Sequence, residues 1–444
     1  MRTDGVSIEG VPTEGDPIAG DPSGGATDPL AGRRILVGIS GSIAAVKLPL
    51  VVSALAKRGA EVRCVLTPSA ERLVSPVALA SLSRHRCYLD ADQWSHTAAR
   101  PLHVELAEWA ELVVLAPLSA TSLGRWIHGL GDTLLASLLL ATEAPVLAAA
   151  AMNTAMWGSP GVGRNWQALQ AIERVLPLGP ADGLLACDRQ GTGRMAEPAT
   201  LLLALESLAC WGWRRDWQGL RLLVSAGPTR EWLDPARCIS NPSTGRMGVL
   251  LAQAARLRGA EVQLVHGPLQ VESAWLDGLG CHPIDTGAQL QEALRELQPG
   301  ADAIAMVAAV ADHRLAQPFD HKPDKAAIAA ALQGGWQAVP DLLVQLVQQR
   351  PAGQRILGFA AHSGDVLPQA QAKFLRKGCD LLFANPIDRV GAGFGSDRNE
   401  GWLLGPGESV TRMEPMGKLA LAHQLLSALR PPGPLPLRRS EADP

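Results

Sequence analysis

One local pattern occurs twice in this chain, and it restricts the fold more than any other feature. The run Arg34-Ile35-Leu36-Val37-Gly38-Ile39 reads as a buried strand and stops at the small-residue turn Ser40-Gly41-Ser42. A helical pattern follows through Ala56 and ends at Gly59, and a second strand, 61–66, stops at Thr67. A strand, a helix and a strand in that order need a crossover connection, so the two strands are parallel. The plan returns at Leu220-Arg221-Leu222-Leu223-Val224-Ser225, with the turn Ala226-Gly227-Pro228-Thr229, a helix over about 245–257 and a strand over 261–265. Arg-Gly-Ala-Glu-Val stands at 58–62 and again at 258–262, at matching places in the two units. The pattern predicts an α/β protein of two doubly wound, three-layer domains joined near Trp213–Gln218.

The ends narrow the domain boundaries. Residues 1–32 and 431–444 carry Gly, Pro, Asp and Ser with little apolar periodicity, and read as disordered extensions. The expected domains are 33–198 and 219–430, with 199–218 as a linker. Hydrophobic content of 47% against 19% charged residues marks a soluble globular chain, and a net charge of −3 gives no reason to expect nucleic acid or an anionic membrane as partner. The acidic start lacks the pattern of a signal or transit peptide, and the longest apolar stretch, 134–142, is too short to span a bilayer. Seven scattered cysteines without CxxC spacing point to a reducing compartment, so a cytoplasmic location is expected. Only seven of the 40 basic residues are lysines, namely Lys47, Lys57, Lys322, Lys325, Lys373, Lys377 and Lys418. Four fall between 322 and 377, which draws attention to that region.

Doubly wound sheets bind ligands at the carboxyl ends of their strands. Neither half has a GxGxxG turn, nor an acidic residue ending its second strand to hold a nicotinamide ribose, which argues against a two-domain dehydrogenase. Gly38-x-x-Gly41-Ser42 is either a structural turn or a cradle of N–H and hydroxyl groups for one phosphate; Ser40, Thr67 and Ser119 bring hydroxyls to the same edge. His103 opens a helical segment, as a cap or packing residue or as an acid–base group. Asn153 follows the apolar strand 146–150, and Cys187 lies among Asp188, Arg189 and three glycines in what reads as a mobile polar flap.

In the second half, Arg237-Cys238-Ile239-Ser240-Asn241-Pro242-Ser243-Thr244-Gly245-Arg246-Met247-Gly248 is dense in groups that suit phosphate or carboxylate, or a capped helix start. Residues 305–310 read as a buried strand leading to Asp312. Lys322 and Lys325 fall on a loop, and Lys373 and Lys377 lie four apart on one helix face.

These segments together resemble the bifunctional phosphopantothenoylcysteine decarboxylase/phosphopantothenate–cysteine ligases of coenzyme A biosynthesis, over about residues 33–430. Gly38 to Ala45, His103-Val104-Glu105-Leu106, Met152-Asn153 and Cys187…Gly191-Thr192-Gly193-Arg194-Met195 are similar to the flavin-dependent cysteine decarboxylases. The resemblance implies a Rossmann-like, flavoprotein-type domain followed by a ligase-type one, with FMN at Gly38, Ser40, Gly41, Ser42, Thr67 and Ser119. It implies oxidation of the substrate thiol so that the adjacent carboxylate can leave as CO₂, with His103 assisting, Asn153 holding the carboxylate and Cys187 supplying a proton. For the second half it implies that Arg237 and Asn241 handle an acyl-cytidylate. Ala309, Asp312, Lys322, Val339, Pro340, Asp341, Leu342, Phe359, Lys373 and Lys377 would bind CTP, with Mg²⁺ offsetting the phosphate charge. Substrates would be 4′-phosphopantothenate, L-cysteine and CTP, and the assembly a homo-oligomer of flavin-domain trimers and ligase-domain dimers. The chain departs from the family pattern at Ala150, Thr121, Asp188, Pro323, Asp324 and His362-Ser363. Rival readings are a non-catalytic FMN-binding regulatory protein of the same fold, which would bind flavin without decarboxylation, and a peptide-cysteine decarboxylase, which needs no CTP half.

Overall fold

A computed structural model describes residues 28–96, 100–186, 188–389 and 393–432. Of the expected extensions 1–32 and 431–444, residues 1–27 and 433–444 lie outside the described residues, as does Cys187; within the described part Leu30 is buried in the first core and Asp28 pairs with Arg58.

The first half is built on six parallel strands, β1 (Arg34–Ile39), β2 (Glu61–Leu66), β3 (Cys87–Tyr88), β4 (Leu112–Leu118), β5 (Val146–Ala150) and β6 (Val175–Leu178), in the order 3-2-1-4-5-6. A two-stranded antiparallel hairpin, β7 (Ala181–Leu184) and β8 (Gln190–Arg194), follows the sheet. The helices are α1 (Leu48–Lys57), α2 (Pro76–Ser83), α3 (Leu102–Trp109), α4 (Ala120–Ile127), α5 (Leu134–Ala141), α6 (Thr154–Trp157), α7 (Pro160–Gln170) and α8 (Pro198–Trp211).

The second half repeats the order. Strands β9 (Arg221–Ala226), β12 (Glu261–His266), β13 (Gly280–Pro283), β14 (Ala303–Met306), β17 (Arg355–His362) and β18 (Leu381–Pro386) run parallel, and antiparallel β19 (Arg398–Gly405) and β20 (Ser409–Gly417) extend one edge. Two small pairs lie outside this sheet, β10 (Arg230–Asp234) with β11 (Arg237–Ser240) and β15 (His313–Leu315) with β16 (Trp336–Ala338). Its helices are α9 (Arg246–Leu257), α10 (Gly287–Leu297), α11 (Lys325–Gly334), α12 (Leu342–Gln349), α13 (Val366–Lys377) and α14 (Lys418–Leu429).

Alternation along the first strand of each half builds two cores per sheet. Ile35, Val37 and Ile39 point into one helical layer and Leu36 into the other; Leu222, Val224 and Ala226 repeat this against Leu223. Each fully buried Leu, Ile or Val side chain contributes about 1.5–3 kcal/mol. The expected α/β architecture and the parallel crossovers are thus both present.

Three segments differ from the sequence expectation. The stretch read as a linker carries α8, whose Leu201, Ala204, Leu205 and Leu208 pack in the first core while Leu203 packs in the second. Its apolar residues recur on two faces, so one helix closes both domains. The strand expected over 305–310 ends at Met306, because the Ser225 hydroxyl accepts from the amides of Val307 and Ala308, both at 3.1 Å. The chain then leaves the sheet and crosses its edge. Lys325 is not in a loop but opens α11, where Asp324 caps the helix by accepting from the Ala327 amide at 2.8 Å.

Candidate active sites

In the first half the strand order reverses between β1 and β4, where a doubly wound sheet leaves a crevice at its carboxyl edge. Ser40 ties the two strand ends together. Its buried hydroxyl donates to the Pro117 carbonyl at 2.7 Å and accepts from the Ser119 amide at 2.8 Å. The Ser119 hydroxyl caps α4 and the Thr67 hydroxyl accepts from the Ala70 amide, each at 3.3 Å. These hydroxyls, with Gly41 and Ser42, gather at one edge. Ser40 acts there by holding Ser119, since its own hydroxyl is engaged inside the fold.

Helices in such crossovers run against the strands, so the first turn of α3 brings His103 to the same edge. Its Nδ1 is buried and has no hydrogen-bond partner among the described residues. Asn153 follows β5, and its side-chain oxygen accepts from the Ala155 amide at 2.8 Å to cap α6. The neighbouring Thr154 hydroxyl is likewise buried without a partner.

The β7–β8 hairpin folds back onto this segment, and its glycines are there because the approach is close. The Met152 amide donates to the Gly193 carbonyl at 3.0 Å. A Cβ on Gly193 would stand 2.2 Å from the Met152 carbonyl oxygen, and one on Gly191 would stand 2.6 Å from the Thr154 hydroxyl. Glu197, just ahead of α8, pairs with Lys47 at 2.9 Å and with Arg194 at the end of the hairpin. Burial works to raise the Glu197 pKa, but those two cations outweigh it and hold the carboxyl below its usual value.

A flavin mononucleotide fits these residues: hydroxyl and amide donors for a phosphate at the switch point, and two orphaned buried polar atoms, His103 Nδ1 and Thr154 Oγ1, left for a bound group.

In the second half the corresponding reversal lies between β9 and β14. The chain leaving β14 bridges back at Ala309, whose carbonyl accepts from the Thr229 amide at 3.2 Å and whose amide donates to Gly227 at 2.9 Å. Asn241, at the end of β11, donates its NH₂ to the carbonyls of Ala309 and Val310, both at 3.2 Å. These contacts wall a cleft of about 290 Å³ whose lining includes Asn241, Ala309, Asp312, Phe359 and Lys373. Five residues expected from the sequence therefore meet in one place. The lining also holds Asn385, Asn399 and Lys418, which sequence reasoning did not assign. Lysine scarcity was the signal that could have found Lys418.

Lys373 is held below its ordinary pKa by burial and then by the charges of Lys377 and Arg376, with Asp312 and Asp341 opposing. Lys377 is paired with Asp341, which also caps α12 just before Leu342. The Val339 amide donates to the Asp312 carbonyl at 2.9 Å, so the segment Val339-Pro340-Asp341 joins Asp312 to that ion pair. Burial, then Lys373, lowers the His362 pKa, and its Nε2 is buried without a partner among the described residues.

Arg237 and Lys322 are not among the residues lining the cleft. Arg237 instead donates to Asp234 at 2.6 Å and to the Pro323 carbonyl at 3.2 Å, fastening the loop that carries the exposed Lys322 to the β10–β11 hairpin.

Two joined doubly wound domains, each with its strand order reversing beside its first strand, define a two-domain α/β protein of the nucleotide-binding type. A Flavoprotein family model matches residues 25–209, and a DNA/pantothenate metabolism flavoprotein C-terminal domain model matches 217–431. Over 401 residues the chain is 34% identical to the coenzyme A biosynthesis bifunctional protein CoaBC of Bacillus subtilis (strain 168), covering 90% of this chain and 97% of that protein. It is 35% identical over 377 residues to the Escherichia coli (strain K12) CoaBC, covering 83% and 90%. Among solved structures it is similar to a CoaBC C-terminal domain, at 27% identity and TM-score 0.40 over 48% of this chain and 95% of that one. It is also similar to a PPC decarboxylase mutant complexed with pantothenoylaminoethenethiol, at 34% identity and TM-score 0.37 over 39% and 96%. The chain belongs to the family of CoaBC coenzyme A biosynthesis bifunctional proteins.

Proposed function

We propose that this chain joins 4′-phosphopantothenate to L-cysteine at the expense of CTP in its second half. Its first half then decarboxylates the product to 4′-phosphopantetheine. The observation that carries this reading is the meeting of Asn241, Asp312, Phe359 and Lys373 in one cleft, on the same chain as a buried His103 Nδ1 without a partner among the described residues.

Amide synthesis needs an activated carboxylate. The carboxylate oxygen of phosphopantothenate attacks the α-phosphorus of CTP, the bond to the β-phosphate breaks, and pyrophosphate leaves with the electron pair. Lys373 offsets the crowding of anions, and Lys377, already paired with Asp341, holds the Val339–Leu342 segment against the nucleotide. The cysteine amine then attacks the acyl carbonyl and CMP leaves. Asn241 orients the acyl-cytidylate from a side chain whose NH₂ is fixed by Ala309 and Val310. Arg237 is assigned a positioning part, through the loop that carries Lys322. Among the described residues no group of three or more potential ligands could hold a metal ion. The one carboxylate lining the cleft, Asp312, together with nucleotide phosphates fits Mg²⁺, which keeps several waters and takes few protein ligands.

In the first half FMN, when bound, supplies the two-electron oxidation of the substrate thiol and its reversal. Gly38, Gly41, Ser42, Thr67 and Ser119 would hold its phosphate. His103 takes up or returns a proton at Nδ1, Asn153 holds the departing carboxylate by its NH₂, and Cys187 is the proton donor that completes the reaction.

Exposed Leu50 (65%), Val77 (75%) and Trp94 (80%) on the first half, and Leu375 (81%) on the second, fit flavin-domain trimers and ligase-domain dimers. Cytoplasmic residence is supported by the six free cysteines among the described residues. Asn241→Asp tests the ligase assignment: it replaces a donor by an anion facing two carbonyls, so CTP is still cleaved while amide formation stalls. Unchanged amide formation by this variant would remove Asn241 from the mechanism.

A further inference from the structure

Lys418 is buried with little around it to offset its charge. Its residue is 4% exposed, and Nζ donates one hydrogen bond, to the Gly393 carbonyl at 3.2 Å. Among the described residues no carboxylate lies within 4.0 Å of it, because Asp397, the nearest acidic influence, is paired with Arg246 at 2.5 Å. Lys418 is also the first residue of α14, where the helix dipole is positive, and it faces a second cation in Arg246. Three unfavourable terms meet at one ammonium: desolvation, the dipole and a like charge. A buried charge left without a counter-ion is costly by several kcal/mol. Residues kept against the local rules are expected where function demands them.

The cleft supplies the missing counter-charge. Lys418 and Arg246 both line it, and the Arg246 Nε is buried with no partner among the described residues. The remaining polar lining, Ser243, Thr244, Asn385 and Asn399, can donate, and Asp312 is the one carboxylate. Such a surface fits a polyanion with several charges at one end rather than a lone carboxylate.

We propose that Lys418 binds the β- and γ-phosphates of CTP and holds the pyrophosphate as it leaves. The inference rests on the ligase reading above. As the bond between the α-phosphorus and its bridging oxygen breaks, the electron pair stays on the pyrophosphate, and the ammonium meets that new charge by donating a hydrogen bond. Lys418 is then a catalytic residue that the fold alone does not require.

Burial first, and Arg246 second, push the Lys418 pKa down to about 8, with Asp397 opposing. Lys418 and Arg246 also line a second cavity, whose other charged groups are Asp28, Arg58, Glu206, Glu272, Asp397 and Arg398. Below that value the ammonium is charged in the free protein, and above it the charge is lost. The kcat/KM for CTP therefore falls on the alkaline side with a limb near that pH, as free-enzyme ionisations do.

The test is binding of inorganic pyrophosphate, followed by calorimetry, together with kinetics of Lys418→Met and Lys418→Arg in the full-length protein. Lys418→Met is expected to weaken pyrophosphate binding and raise the KM for CTP by about tenfold or more each. The KM for phosphopantothenate and the rate of decarboxylation stay within about twofold, as expected for a group that touches neither substrate. Lys418→Arg keeps pyrophosphate binding and moves the alkaline limb upward, because a guanidinium does not titrate there. Equal pyrophosphate affinity in wild type and Lys418→Met overturns the assignment, as does an effect confined to phosphopantothenate. A wild-type protein that forms no amide with CTP fails the ligase reading itself, which is a separate result.

Discussion

The Ser207 hydroxyl meets Nε2 of His423 at 3.0 Å, joining α8, which closes the first domain, to α14 of the second. Both residues are buried, and the Trp211 ring lies flat against the imidazole with centroids 5.8 Å apart. Burial, then Arg258, pushes the His423 pKa down to about 3. A histidine in the unfolded chain protonates near 6.5. The unfolded state therefore binds the extra proton first, and stability is full above that value and falls as the pH drops toward 3. By pH 5 the loss from this one group is about 2 kcal/mol. Urea unfolding of wild type between pH 7 and 5 is expected to show it, whereas His423→Gln, which can still bond Ser207, flattens the profile. An identical acid profile in the variant would show that His423 is not the group responsible.

Ser40→Ala removes a hydroxyl used at both ends: the Pro117 carbonyl keeps the Ser40 amide at 3.3 Å, and the half-buried Ser119 amide loses its acceptor. Such a loss costs about 1–3 kcal/mol. Because Ser119 stands at the strand reversal, the expected readout is weaker FMN binding, by about tenfold, seen in flavin fluorescence titration. Ligase turnover in the same preparation stays unchanged. Undiminished FMN affinity would mean that Ser119 needs no such support.

Gly193→Ala places a Cβ into the Met152 carbonyl, so the β7–β8 hairpin must lift from residues 152–154. Decarboxylation is expected to slow by about tenfold or more, since small displacements of positioned groups carry large rate effects. Gly163→Ala, whose Cβ would meet nothing within 4 Å, serves as the control. Equal decarboxylation rates in the two variants would contradict the close-approach argument.

Lys373→Met and Lys377→Met are expected to differ. Lys373 lines the cleft, whereas Asp341 already neutralises Lys377. The first substitution lowers kcat/KM for CTP by about a hundredfold, the second by about tenfold. The reverse order would place the triphosphate nearer Lys377 and Asp341, at the C-terminal end of α13, than Lys373.

Much of this arrangement was legible in the sequence. The strands 34–39 and 61–66 begin and end where the aliphatic runs do, and Lys373 and Lys377 share a helix face as their spacing requires. What escaped reading depends on partners distant in the chain. Residues 307–310 look like a continued strand, and only the Ser225 hydroxyl, some eighty positions earlier, diverts their amides. The apolar residues of α8 are divided between two cores, a division no local period reveals. Ser40 resembles a phosphate ligand until Pro117 and Ser119 are brought to it. Lysine scarcity drew attention to 322–377 and passed over Lys418, whose meaning depends on Arg246, Asp397 and Gly393 closing around it.

The central claim is that one chain performs both steps in sequence. Purified protein given phosphopantothenate, carboxyl-labelled cysteine, CTP and Mg²⁺ tests it directly by release of labelled CO₂. The account predicts labelled CO₂ and phosphopantetheine only when CTP and phosphopantothenate are both present, because cysteine must be ligated before it can be decarboxylated. Release of label that is independent of CTP, or amide formation with no release at all, would contradict it.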